Sequence, residues 1–170
     1  GNNGGTNRAS NTYVGWCWKA GGTGVSNSNG NITSTVSANQ AAGFSIVKYT
    51  GDSSATMTVG HGLSQAPQLV ISKRTDADQQ WGVYTNVLTG DSTTNWFSLD
   101  DADAAGSGNF LSVTNQVLSA TQTGAYWIQG DQIAYCFHDV AGYQKIGSYT
   151  GTNSSNTINV GFKPKFLLIK

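Results

Sequence analysis

The sequence predicts an all-β fold: an antiparallel β-sandwich, jelly-roll-like or immunoglobulin-like, internally repeated, with little or no helix. Three observations carry this prediction. Helix formers are scarce: all nine acidic residues are aspartate, glutamate does not occur, and there is one methionine. Glycine instead reaches 22 of 170 residues, among many Ser, Thr and Asn, a composition that favours strands and turns. The apolar stretches alternate with period two, and "AAGFSIVKYTG" (41–51) returns as "VAGYQKIGSYTG" (140–151).

The first element is "YVGWCWKA", residues 13–20, which returns as "QIAYCFHD", residues 132–139. Val14 aligns with Ile133, Gly15 with Ala134, Trp16 with Tyr135, Cys17 with Cys136 and Trp18 with Phe137. Each copy therefore has one bulky face and one small face. A small face lets another layer approach closely, so both faces of these strands are expected to be covered. The polar, Gly-rich stretch 21–40 interrupts the first copy only. It reads as a linker or exposed hairpin, with Ile32 and Val36 pinning a short strand. Residues 41–51 read as a strand that ends at Tyr-Thr-Gly in a turn. "APQLVISK" (66–73) returns as "KPKFLLIK" (163–170). Both read as buried strands, with Pro67 and Pro164 at their starts, where a missing N–H does least harm.

After Gly43 the copies are offset by roughly a hundred residues, the size of a domain rather than of a solenoid turn. The expected organisation follows. Residues 1–41 hold the last strand of a preceding copy plus the linker or hairpin, 42–139 form one full β repeat, and 140–170 open a second copy. The alternative is one pseudo-twofold sandwich over 13–170, with strands 13–20 and 132–139 side by side.

Formal charge is zero, with nine basic and nine acidic residues, and the longest basic run is Lys73-Arg74. No basic stripe marks a nucleic-acid binder, and near-zero charge favours self-association. No stretch has membrane-span length or the form of a signal peptide, so no membrane insertion is expected. Cys17 and Cys136 lack zinc-site spacing; on the small face they read as reduced, buried hydrophobes rather than a disulfide or a catalytic pair with His138. Residues 100–108 faintly resemble a calcium loop through Asp101, Asp103 and Gly106, but Ala105 and Ser112 occupy ligand positions. No metal, no cofactor and no catalytic residue is expected. Trp81, Trp96 and Trp127, set among polar residues, are the ligand-binding candidates, because a ring beside amides is what sugars stack on; inward packing is the competing reading.

The stretches from "YVGWCWKAGG" through "GHGLSQAPQLVISKR" and "WGVY" to "IAYCFHDVAGYQKIGSYTG" and "VGFKPKFLLIK" resemble a domain of unknown function. That domain occurs in predicted tail-fibre and structural proteins of marine phages of the cyanophage type, often beside laminin-G-like lectin domains. The resemblance implies a virion-surface appendage protein (tail fibre, spike or capsid decoration) acting in assembly and host attachment. Its expected partners are itself, as a trimer along a fibre axis, other virion proteins and host-surface glycans. Phe166 and Leu168 are the expected oligomer contacts. A secreted, monomeric lectin-like module is the alternative.

Overall fold

The structure, a computed structural model, describes residues 9–54, 56–88, 95–102, 106–107, 111–120 and 126–170. In chain order the strands are β1 (Val25–Asn27), β2 (Ser34–Asn39), β3 (Phe44–Asp52), β4 (Met57–Gly60), β5 (Leu69–Arg74) and β6 (Gly82–Thr85). They continue with β7 (Asn95–Ser98), β8 (Gly106–Ser107), β9 (Ser112–Val113), β10 (Val117–Ala120) and β11 (Gln129–Phe137). Two 3-10 turns, Gln40–Ala42 and Tyr126–Ile128, are the helical elements among the described residues. One sheet has eight strands in the order β1-β2-β3-β11-β5-β6-β7-β8, and the other has three in the order β4-β10-β9. Every ladder is antiparallel, and a shared apolar core joins the two sheets, as the composition predicts.

The last strand takes the central place. β11 pairs with β3 over nine positions and with β5 over six, so both its edges are occupied and residues 13–20 do not lie beside it. The period-two pattern of 132–137 is realised, and the small face is the one turned inward. Gln132, Ala134 and Cys136 are buried, while Ile133, Tyr135 and Phe137 are half-buried on the outer face. The inner row Val47, Ala134, Ser72, Gly82 and Ser98 crosses five strands with mostly small side chains. The outer row Ile46, Tyr135, Ile71, Val83 and Phe97 crosses the same strands with large apolar ones.

The small inner row makes room for the turn before β11. Trp127 packs so closely on β6 that a Cβ on Gly82 would stand 3.3 Å from its ring. Opposite, Met57 and Val59 of β4 and Leu118 and Ala120 of β10 complete the core.

The stretch 21–40 takes the hairpin alternative of its reading, but packed into the fold rather than exposed. It forms the β1–β2 hairpin, which extends the large sheet beside β3. Val36 lies in the core because Ser34, Val36 and Ala38 alternate inward like any sandwich strand. At the hairpin tip Asn31 and Ile32 bond across to Thr58 on β4, and the Ser34 hydroxyl donates to the Gly60 carbonyl, which ties the two layers together. The packed unit thus begins near Val25 rather than at residue 42.

A second correction concerns the terminal segments. Residues 13–20 and 163–170 form no strand and are almost entirely exposed, Cys17 included. Their counterparts β11 and β5 owe their burial to neighbours on both edges and a layer beneath, which alternation within a segment cannot supply.

The repeated motif now has physical content. Gly43 sits in the left-handed region at φ 60°, and a Cβ there would stand 2.7 Å from the His138 carbonyl oxygen. The Tyr49 hydroxyl donates to the Trp127 carbonyl at 3.0 Å, and Thr50 donates to the Asp131 carboxylate at 2.7 Å. A Cβ on Gly51 would lie 2.3 Å from the backbone of Ile128, whereas one on Gly151 would meet nothing within 4 Å. Gly51→Ala is therefore expected to cost about 3 kcal/mol, the upper range for overpacking. Gly151→Ala should stay within about 0.5 kcal/mol. Urea unfolding of the two variants against the parent chain checks the contrast.

Candidate functional site

Trp127 is 2% exposed and belongs to the core, so this ligand-binding candidate is corrected to a packing residue. Inward packing, the competing reading for this residue, is the one realised, and Gln129 after it begins the central strand. The Trp96 backbone pairs with Tyr84 and Gly106, while its side chain lies outside the described part of the structure.

Trp81 is half-buried just before β6. Its N–H donates to the Asp100 carboxylate at 3.1 Å, and its carbonyl accepts from Leu99 N–H at 3.0 Å. Lys73 Nζ lies 5.9 Å from the ring centroid, at cation–π range, and also bonds the Gln79 carbonyl. Nearby, Gln80 donates to Asp101 at 2.6 Å, and Arg74 pairs with Asp76 at 2.7 Å. The polar groups beside this ring thus bond one another. Asp100 and Asp101 of the calcium-like stretch serve as acceptors here, and Asp103 and Ala105 lie outside the described residues. Among the described residues no group of three metal-ligating side chains comes together.

A separate open depression of about 370 Å³ is lined by Asn29, Gln40, Gly62, Leu63, Ser64, Asn115 and Gln116. Its amides suit hydroxyl groups, but Gln40 already bonds the Gly62 carbonyl and Asn115 already accepts from Ala66 N–H. No aromatic ring lines it. The depression thus offers amides without a ring, and the polar groups beside the Trp81 ring are already bonded.

Between the layers runs a seam of buried polar groups. Burial pushes the Cys136 thiol up to about 12 and pushes the Tyr49 phenol well above its usual range, so both stay neutral at physiological pH. A thiol of that kind is a packing group, not a nucleophile. Cys136 is free and buried, as expected; Cys17 is free and exposed, against expectation.

The sequence reading missed His61, which is fully buried between Gly60 and Gly62, the second of them at φ 72°. Its Nδ1 accepts from Leu63 N–H at 3.1 Å, and Nε2 lies 3.1 Å from the Thr114 carbonyl, so the neutral ring donates from Nε2. A histidine flanked by two glycines at a strand end was the available signal. The ring pins the loop after β4 to the β9–β10 turn.

The apolar groups left over are concentrated. Among the described residues, the exposed large apolar side chains other than Val25 and Leu88 all fall within 13–18 or 143–169. Phe166 meets Trp18 edge-on at 5.1 Å and Trp16 at 5.4 Å, so the two terminal segments form one surface. Leu168 lies exposed beside them. At the far end Lys170 reaches Asp101, and Ser148 donates to the Val87 carbonyl at 2.8 Å. Among the described residues, no helix is long and apolar enough to cross a membrane.

His61 gives this unit an acid sensitivity. Burial, with the nearby His138 adding to it, holds its pKa below 6.5. Its contribution to stability is complete above the unfolded pKa of about 6.5 and is lost as pH falls from there to the lowered folded value. Asp52 and Asp76, held below 3.8 by bonds to Ser54 and Arg74, act in a lower window. The thermal midpoint should therefore begin to fall below about pH 6.5, and His61→Gln should flatten that limb while sparing the carboxylate limb below about pH 4.

Comparison with known proteins gives one match: a family model described as a domain of unknown function (DUF7483) covers residues 1–170. No curated protein and no solved structure matches the chain.

Proposed function

Because the chain belongs over residues 1–170 to the DUF7483 family, whose members share a domain of unknown function, its role must be read from its surface, and we propose an assembly module of a viral appendage. In this reading the protein is part of a phage tail fibre, spike or capsid decoration, placed on the virion surface and contributing to host attachment. It works by contact with copies of itself and with other virion proteins, and it performs no chemistry.

The observation that carries this proposal is the apolar surface of the terminal segments. Val14, Trp16, Leu167, Leu168 and Ile169 all stand in solvent. Contiguous patches of this kind mark interaction sites. Fully covering a Val, Leu or Ile side chain is worth about 1.5–3 kcal/mol. Four such groups and Trp16, already partly covered, supply something near the roughly 4–15 kcal/mol that association costs. Zero net charge adds no repulsion between copies. The composition of the terminal surface favours the contact role given to Phe166 and Leu168, and the trimer remains part of the proposal. The already bonded polar groups around Trp81 and the ring-free depression weigh against the lectin reading.

Light scattering across a concentration series tests this. A homo-oligomer is expected, and Leu168→Asp combined with Trp16→Ser should shift it to monomer with the β signal in circular dichroism retained. A parent chain that stays monomeric and binds a glycan array in a manner lost with Trp81→Ala would overturn the proposal in favour of the lectin-like module.

A further inference from the structure

The terminal segments carry the same alternation of residue types as β11 and β5, and in the folded chain they come together. By the alignment of the repeat, residues 13–20 are the counterpart of β11 and residues 163–170 the counterpart of β5. In the complete copy β11 and β5 run antiparallel with Phe137 opposite Leu69, Cys136 opposite Val70 and Tyr135 opposite Ile71. Carried across, that register places Trp18 opposite Phe166, Cys17 opposite Leu167 and Trp16 opposite Leu168. The observed ring contacts are those of this register. Phe166 lies nearest Trp18, its direct partner, and next nearest Trp16, the diagonal neighbour on the same face. The N-terminal alternation puts Trp16 and Trp18 on one face and Cys17 on the other.

A second observation concerns the repeated glycine. Gly142 takes φ 73° where its counterpart Gly43 takes 60°. The hydrogen bonds around the two glycines differ, for Gly43 N–H bonds the Gln40 carbonyl, whereas Val140 and Gln144 bond each other reciprocally across the second turn. The second copy thus keeps the left-handed glycine of the first. Its side chains lack the cover their counterparts have: Tyr49 is 4% exposed and Tyr149 50%, and Val70 is 0% exposed and Leu167 68%.

We propose that residues 13–20 and 163–170, which form no strand in the described structure, come to pair as antiparallel strands in the register of β11 and β5, completing an approach that their ring contacts begin. The two ends of the chain would then meet in one ladder, with the first copy looped out between them. This follows from the repeat and the ring contacts and does not depend on the appendage reading.

The register makes a covalent test possible. Directly opposed residues come close enough to form a disulfide, whereas a one-residue shift turns the thiol to the other face. Leu167→Cys should therefore link to Cys17 within one chain when two thiols are oxidised by a mild two-electron oxidant such as diamide, which takes up both hydrogens as the S–S bond forms. Leu168→Cys should link at least about tenfold more slowly, because its side chain projects to the opposite face. Cys136, buried in the first copy, does not compete. Peptide mapping under non-reducing conditions reads the link, and retention of the circular dichroism signal confirms the fold. Equal rates for the two variants, or links formed only between chains, would overturn the proposal.

Discussion

Trp127 occupies space that exists only because the inner face of the large sheet is small. Gly82 presents no side chain to it, and Ala134 and Ser72 continue the same row. From that position the Trp127 carbonyl receives the Tyr49 hydroxyl, and the adjoining Ile128 backbone closes over Gly51. The turn before β11 is thereby fixed to β3 and β6 at once. The place and register of β11 follow from it, as does the distance at which Met57, Val59, Leu118 and Ala120 can cover the sheet. A larger row beneath Trp127 would push the layers apart and break this set of contacts together, since packed interiors leave little room to adjust.

Much of this architecture was legible in the sequence, and the rest was not for identifiable reasons. The alternation of residues 132–137 marks a strand with unequal faces, but its pairing with β3 and β5 was not legible, since the repeat offered only 13–20 as a neighbour. Which face turns inward was not legible, since the answer lies with Trp127, a residue outside the strand. Trp127 stands among polar residues in the sequence, yet with Ile128 beside it the stretch is a core turn. Cys17 and Cys136 sit in the same alternating pattern and have opposite exposures. Burial is conferred by neighbours in space, and a strand pattern states only what a segment can bury. The β1–β2 hairpin shows the converse, for Ser34, Val36 and Ala38 already carry an inward-facing alternation within a polar stretch.

The candidate site divides along the same line. Tryptophans near amides suggested sugar binding, but proximity in sequence placed Trp81 among partners that bond one another and Trp127 in the core. His61 escaped notice because a lone histidine between glycines carries no chemical motif. Its Nδ1 bond to Leu63 is local, but its Nε2 bond reaches Thr114 across the chain, and only the folded arrangement reveals that one. The terminal apolar residues were visible as apolar and were read as strands; that they stand in solvent is a fact of their unpaired state.

The central place of β11 bears on the order of events during synthesis. Its slot lies between β3 and β5, both made long before it, so the two strands must wait with open edges. Residues 13–20 share the alternation of β11 and are made before it. The same slot is therefore within reach of a similar pattern before β11 exists. The two segments differ at seven of their eight aligned positions. Where β11 is followed by buried His138, the earlier segment has Lys19, and where β11 has buried Gln132, it has Tyr13. Placing a lysine ammonium in that closed position without a partner would be costly, so the earlier segment fits the slot less well than β11.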